Sequence, residues 1–323
     1  MNPVATDFHR TGISTDDVVI RGRSWVFTID FEAFDPTQIE IWVKAMDHWS
    51  DITLRGGWKS SIFIALEDVI RLKAERPEAY PRFLEATRRM ASAGATFYPH
   101  NHGVFDESTG LQAEHRPQRI PNYPKRASMF FDVVHRHGLD IREWMGRIAS
   151  HFDDFLIGAG LPRPTQPAFR AGGWDHGVTA NDLKAFVEGL AAAGFAWDSS
   201  ASSGIYGTRS WRIGAPYGHN VFGLDPTVVE AACCWSVDGL GRLGQPRTVK
   251  ALVGLARQSR LWRHHPGVFV TVLHFENLVR PNRATNMPEI TRRIESLFSK
   301  LNIVRSALRI QSTNFDDISV GRS

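Results

Sequence analysis

The stretch Ser24–Glu32 reads Ser-Trp-Val-Phe-Thr-Ile-Asp-Phe-Glu, and the interpretation of the whole chain starts from it. Its first eight residues are rich in β-branched and aromatic side chains, which favour a buried strand, and Asp35-Pro36 just beyond them is a turn signal. Two acidic residues, Asp30 and Glu32, therefore stand at the end of a predicted strand. Because alternate residues of a strand share a face, we expect both carboxylates on the same side.

A second predicted strand, Ala95–Pro99, runs directly into His100-Asn101-His102. The two histidines have the same spacing as the two acids, so their imidazoles are also expected on one face. Two imidazoles and two carboxylates at strand ends can supply a His-His-carboxylate metal site and leave one carboxylate free as a base. Zn²⁺ suits such ligands best, although cobalt, nickel or iron could occupy them too.

Strand and helix patterns alternate along the chain. Further strand-like runs are Ser61–Leu66, Pro167–Arg170 and Val268–Leu273, and helical periodicity recurs at Glu67–Arg76, Glu78–Ala93, Ile141–Ile157, Asn181–Ala193 and Met287–Leu301. This rhythm predicts an α/β fold with a parallel sheet, either a barrel or an open sheet, whose site lies at the strand ends. No internal repeat or linker is evident, so we expect one domain over 1–323 with a core at about 24–301. The turn-rich stretch 103–124 is expected to be a loop insertion over the site.

The composition is that of a folded globular protein. Of the 323 residues, 42% are hydrophobic and 22% are charged. The net charge of +4 and the pI near 9.2 suit an anionic partner, but the basic residues are scattered, which argues against nucleic-acid binding. The first 22 residues lack a signal-peptide pattern and no apolar run is long enough to span a membrane, so we expect a cytoplasmic protein. Cys233 and Cys234 are interpreted as two buried small hydrophobes rather than a disulfide.

Five short motifs in order resemble the polysaccharide deacetylases, the NodB-homology or carbohydrate esterase family 4-like proteins. They are Thr28–Glu32, His100–His102, Phe169–Trp174, Trp197–Ser200 and Leu273–Phe275. Each motif is weak alone, but together they span most of the chain. The resemblance implies a single-domain, distorted (β/α)7-type barrel, which agrees with the alternation of strands and helices.

The resemblance also implies roles for the strand-end residues. Asp30 would be the general base, and Glu32, His100 and His102 would hold the metal. The chain departs from the family in two ways: its first motif is Asp-x-Glu rather than adjacent aspartates, and its histidines are closer together than usual. Asp106, four residues after His102, is for that reason a further candidate ligand.

The rest of the reaction calls for an acid and for groups around the substrate. A histidine at the end of a buried strand can protonate a departing amine, and we assign this role to His274. By resemblance, Arg170 would pair with the base and Asp198 would orient and charge the acid. The glycine-rich turn at Gly173 offers a backbone N–H to an oxyanion, and Trp174 is a candidate wall for a sugar ring.

These residues predict a metal-dependent hydrolase of C–N bonds other than peptide bonds. The resemblance implies removal of an acetyl or formyl group from an N-acylated amino sugar, nucleotide-linked or lipid-linked, in surface polysaccharide assembly such as O-antigen biosynthesis. Two alternatives stay open: hydrolysis of a small non-sugar amide or ureide, and a catalytically silent relative that binds glycan. The sequence does not indicate an oligomeric state.

Overall fold

The structure is a computed structural model of the whole chain. The residues that it describes are 18–20, 23–32, 36–102, 138, 140–172, 180–200, 221–225, 228–231, 233–238, 240, 267–279 and 286–322. The predicted loop insertion 103–124, with Asp106 in it, lies outside these residues.

A mostly parallel sheet forms the centre of the molecule. The strands of this sheet, and of a separate sheet formed by β1 and β12, are β1 (Val18–Ile20), β2 (Arg23–Phe31), β3 (Ser60–Ala65), β4 (Ala95–Asn101), β5 (Ala168–Ala171), β6 (Trp197–Asp198), β7 (Val221–Asp225), β8 (Val228–Ala231), β9 (Cys233–Ser236), β10 (Gly267–His274), β11 (Ser312–Thr313) and β12 (Val320–Arg322). The strand order is β9-β10-β2-β3-β4-β5-β6-β8-β7, and among the described residues only the β7–β8 pairing in this order is antiparallel. β1 pairs with β12 in a separate two-stranded sheet.

The first strand in this order, β9, and the next-to-last strand, β8, are neighbours along the chain. β8 pairs with β6 on one side, β9 pairs with β10 on the other, and only residue 232 separates β8 from β9. The parallel sheet is therefore nearly closed into a barrel, which confirms the α/β, distorted-barrel prediction.

Helices cover the outside of the sheet. They are α1 (Ile39–Gly56), α2 (Leu66–Glu75), α3 (Tyr80–Ser92), α4 (Ile141–Ala159), α5 (Ala180–Ala192), α6 (Glu276–Val279) and α7 (Met287–Leu308). Helix α1 was not predicted from the sequence, although its buried side chains recur at helical spacing from Ile39 to Trp49. Trp49 packs on Phe27 of β2 and on Phe298 of α7, with ring centroids 5.9 Å and 4.7 Å away. No helix among the described residues has both the length and the apolar character to cross a bilayer.

The barrel interior is apolar at the end where the strands begin. Phe315, which follows β11, is fully buried and packs on Phe63, Tyr98 and Trp197, with ring centroids 5.3–6.0 Å apart. β11 pairs in parallel with β2, at Trp25 and Val26. The packed fold thus continues past residue 301, where the sequence analysis placed the end of the core.

The register of the strands gathers the polar residues at the opposite end. His274 of β10 is aligned with Asp30 of β2, and His100 of β4 is aligned with Arg170 of β5. Because these strands are parallel and adjacent, their C-terminal ends form one rim, and the side chains there converge.

Candidate active site

Three side chains at this rim point at a common position. Glu32 follows β2 directly, His100 lies in β4 and His102 follows β4, and all three are buried. Oε2 of Glu32 lies 3.2 Å from Nε2 of His100 and 2.9 Å from Nε2 of His102. One ligand atom from each residue lies within 4.8 Å of the other two. The structure thus brings together the three side chains that the two-residue spacings gave as candidate ligands, and they could hold a metal ion.

The Nδ1 nitrogens of both histidines are already hydrogen-bonded within the protein. Nδ1 of His100 lies 2.9 Å from the backbone carbonyl oxygen of Arg170, and Nδ1 of His102 lies 2.6 Å from Oε1 of Glu67. A carbonyl or carboxylate oxygen can only accept, so each Nδ1 must donate its hydrogen. Nε2 of each ring is then the nitrogen left for a cation, as in metal sites whose histidines are oriented by an acceptor behind them.

The charges around His102 also suit a cation. Burial lowers the pKa of His102, but the carboxylates of Glu32 and Glu67 outweigh it and raise that pKa to about 10. The two acids thus hold a positive charge between them, and a metal ion at Nε2 would take the place of the proton. The three side chains can hold a metal ion, and their chemistry does not single out one element.

Glu67 was not identified from the sequence, where it looked like an ordinary residue at the start of a helix. It lies in the first turn of α2 and is buried. Burial raises the pKa of its carboxyl group, but the hydrogen bond and positive charge of His102 bring the pKa below its usual value. Only the fold brings it to the rim, since 35 residues separate it from His102.

The structure brings Asp30 and Arg170 together as the motif resemblance implied. The Arg170 guanidinium is completely buried and donates to the Asp30 carboxylate. It also donates to the hydroxyls of Thr28 and Ser199, at 3.0 Å and 2.9 Å. Because a buried carboxylate is costly unless it is paired, the guanidinium supplies the opposite charge that the buried Asp30 carboxylate requires.

His274 approaches the other side of Asp30. Its Nε2 lies 3.9 Å from Oδ2 of Asp30, and its Nδ1 lies 2.9 Å from Oδ2 of Asp238. The backbone N–H of His274 donates to the second oxygen of Asp238 at 2.7 Å. Burial lowers the pKa of His274, but Asp238 and Asp30 raise it to about 10, so the ring is protonated at neutral pH.

The carboxylate at Nδ1 of His274 is thus Asp238, whereas the motif resemblance gave the orienting role to Asp198. Asp198 is fully buried and accepts hydrogen bonds from the backbone N–H and the hydroxyl of Ser200, at 3.0 Å and 2.5 Å. Asp238 follows β9 in a stretch without a strong motif, and nothing in the sequence analysis identified it. His274 itself lies where the sequence placed it, at the end of β10.

One glycine beside the site is required by close packing. A Cβ atom at Gly172 would overlap the imidazole ring of His102, so any larger residue would displace that ring. Gly173 and Trp174, the predicted oxyanion and sugar contacts, lie outside the described residues.

No family model matches this sequence, and no curated protein matches it significantly. Solved structures with some likeness include a Mycobacterium smegmatis protein described as a polysaccharide deacetylase, at 13% identity and TM-score 0.43, over 94% of this chain and 98% of that one. A second is a family 4 carbohydrate esterase from Streptomyces lividans, at 14% identity and TM-score 0.32, over 87% of this chain and 91% of that one. A third is the catalytic domain of a peptidoglycan N-acetylglucosamine deacetylase from Eubacterium rectale, at 12% identity and TM-score 0.37, over 95% of this chain and 96% of that one. At identities and TM-scores this low, the likeness does not establish the function of this chain.

Proposed function

We propose that this protein is a metal-dependent hydrolase that removes an N-acyl group from an amino sugar. One observation carries the proposal: the buried Asp30 carboxylate, paired with Arg170, lies near a group of side chains that could hold a metal ion and near a histidine. Glu32 of the metal site is two residues from Asp30, and His274 lies 3.9 Å from Asp30 on its other side. Amide hydrolysis at a metal centre requires a cation site, a base and an acid together.

Glu32, His100 and His102 are the residues that would hold the ion, and we propose Zn²⁺ because two imidazoles and a carboxylate suit it. When bound, such an ion polarises the amide carbonyl and acidifies water. The three side chains are buried, and each histidine ring is oriented by a hydrogen bond from its Nδ1 to an acceptor oxygen. The protein therefore contributes a preorganised set of ligands.

In the proposed reaction Asp30 accepts a proton from the attacking water. Arg170 fixes the Asp30 carboxylate, because the guanidinium is itself held by hydroxyl and carbonyl oxygens in the barrel. Water oxygen forms a bond to the acyl carbon, and the proton that it loses is held on Asp30. A paired, oriented carboxylate suits this role better than a solvated one, which would have to lose water first.

His274 then supplies the proton that the departing nitrogen needs. The carbon–nitrogen bond breaks, the acyl group leaves as a carboxylic acid, and the amine takes the proton of His274 Nε2. Asp238 holds Nδ1 and keeps the ring charged, which is the state that a general acid must have before reaction. Asp30 and His274 are thus a base and an acid held in contact on one rim.

The sugar part of the proposal rests on the five motifs of the chain and their resemblance to polysaccharide deacetylases. We propose an acetyl group, or alternatively a formyl group, as the leaving acyl group. Nucleotide-linked or lipid-linked amino sugars of surface polysaccharide assembly are the substrates to test first. A small non-sugar amide would need the same metal, base and acid, so only turnover can separate these substrate classes.

The first experiment measures the metal content of the purified full chain. We expect about one transition-metal ion in wild type and a loss of it in His100→Ala and His102→Ala. His48→Ala is the matched control, since His48 lies on α1 beside Glu295 of α7, outside the barrel. Absence of metal from reconstituted wild type would refute the proposal.

The second experiment separates the metal site from the base. Asp30→Asn should keep the ion, because Asp30 is not among its ligands, and should lose at least about 100-fold in kcat because the base is gone. Turnover is measured as acyl release from N-acetylated and N-formylated amino sugars, free and nucleotide-linked, and from ureides. Full activity of Asp30→Asn would overturn the assignment of the base, and turnover of ureides alone would overturn the sugar substrate.

A further inference from the structure

Glu67 contacts the metal site at three points. Its Oε1 lies 2.6 Å from Nδ1 of His102 and accepts a 3.3 Å hydrogen bond from the backbone N–H of the same residue. Its Oε2 accepts a 3.0 Å hydrogen bond from the side-chain amide of Asn101. One carboxylate therefore holds the ring of a ligand, the backbone of that ligand and the residue before it.

His102 needs this support more than His100 does. His100 lies within β4, where the sheet pairing fixes its backbone and the carbonyl oxygen of Arg170 fixes its ring. His102 directly follows the last residue of β4, and its backbone N–H donates to Glu67. A ligand that leaves the strand must be oriented by something else if its Nε2 is to meet the other two ligand atoms.

The rigidity of α2 makes Glu67 suitable for this task. The residue stands in the first turn of a helix that begins immediately after β3, and β3 pairs with β4 along its length. The carboxylate is thus carried by the strand next to the one that carries His102, and its position is set by the sheet. The side chain is buried, which strengthens the hydrogen bonds of its charged oxygens relative to water.

We propose that Glu67 is a positioning residue that sets the metal affinity of the site by orienting His102. This inference rests on the proposed metal site and adds to it a residue outside the ligand set. It explains how two histidines separated by a single residue serve as two ligands of one ion. Glu67 is not one of the three proposed ligands, and it acts through His102 and the adjoining Asn101.

The test compares Co²⁺ binding to the metal-free full chain of wild type, Glu67→Gln and Glu75→Gln. Co²⁺ affinity is measured by competition with a chelator, and the visible absorption of the bound ion reports its coordination. Glu67→Gln keeps the shape and loses the charge, and we expect it to bind Co²⁺ about 10- to 100-fold more weakly, with an altered spectrum. Glu75→Gln removes a carboxylate from the far end of the same helix, where it pairs with Arg71 on the surface, and should match wild type.

The outcomes are distinguishable from failure of the proposed function. Wild-type affinity and spectrum in Glu67→Gln, with the ion lost in His100→Ala, would overturn the role of Glu67 and leave the metal site intact. Absence of Co²⁺ binding in wild type would overturn both. The melting temperature of each metal-free variant shows whether it is folded, and if Glu67→Gln is not, Glu67→Asp replaces it. That variant keeps the charge on a shorter side chain, and an affinity equal to wild type would also overturn the proposal.

Discussion

Replacing Asp238 by asparagine tests how the proposed acid is kept charged. In wild type the Asp238 carboxylate accepts from Nδ1 and from the backbone N–H of His274. Asparagine has the same shape but no charge, and it has one acceptor oxygen in place of two. The substitution therefore removes the nearest negative charge from the ring and one of the two hydrogen bonds. Asp30 and Glu276 remain beside His274.

The size of the effect follows from the charges that face His274. Burial lowers its pKa, and Asp238, Asp30 and Glu276 together raise it to about 10. Loss of one adjacent opposite charge lowers a pKa by about 1–3 units. A fall of two units would leave roughly one-tenth of the rings protonated at pH 9, against about nine-tenths in wild type. Because the proposed acid is the protonated ring, we expect activity to be lost at a lower pH in the variant.

The assay is the pH dependence of kcat for amide hydrolysis, with wild type and variant loaded with the same metal. Because both proteins carry the same metal, the informative quantity is the displacement between the two alkaline limbs. We expect Asp238→Asn to shift this limb to lower pH by about 1–3 units. Asp153→Asn, which removes a surface partner of Arg163, should leave it in place. A variant with lower kcat but an unshifted alkaline limb would refute the role of Asp238 as the group that charges His274.

Two further substitutions test the packing around the site and below it. Gly172→Ala should displace the ring of His102 and remove bound metal, whereas Gly146→Ala, at a position with open space around its Cβ, should retain it; metal content of the two proteins decides. Phe315→Ala should lower the free energy of unfolding by about 3–5 kcal/mol, because it leaves a cavity at the end of the barrel where the strands begin. Denaturant unfolding of the metal-free protein measures this cost, and a loss below about 1 kcal/mol would show that Phe315 does not fill the barrel.

The parts of the fold that the sequence predicted are those with strong local patterns. The strand at Ser24–Phe31 is found as Arg23–Phe31, and the helix expected at Ile141–Ile157 is found as Ile141–Ala159. The pattern of polar residues at strand ends also predicted their common rim, because parallel strands place those ends together. The short strands β8 and β9 have no such pattern and were not predicted, since each is only four residues long. They close the barrel by pairing with β6 and β10, which are distant from each other in the strand order.

The site was predictable to the same extent. Glu32, His100 and His102 have a spacing that has a direct geometric meaning on a strand, and the structure places them around one point. Glu67 and Asp238 have no such signal, since each is a single acid that the fold carries to a histidine 35 or 36 residues away in sequence. A residue that acts by a long-range contact cannot be identified from spacing, which describes only neighbours along one element.

Glu67 and Asp238 nevertheless use the same chemistry for two different purposes. Each carboxylate holds Nδ1 and the backbone N–H of a histidine at the end of a strand. The purposes differ because of what lies at the opposite nitrogen. Nε2 of His102 faces Glu32, whereas Nε2 of His274 faces Asp30, and these two acids are separated by a single residue at the end of β2.

The strand register decides which acid each ring meets. His274 is aligned with Asp30 across the β10–β2 pairing, so a shift of two residues along β2 would bring Glu32 to it instead. In the observed register, His274 lies 3.9 Å from an acid that also pairs with Arg170. His100 and His102 converge on the other acid and form the proposed cation site. The alternation of side chains along one strand thus separates the proposed base from the proposed ligand, and with them proton transfer from metal binding.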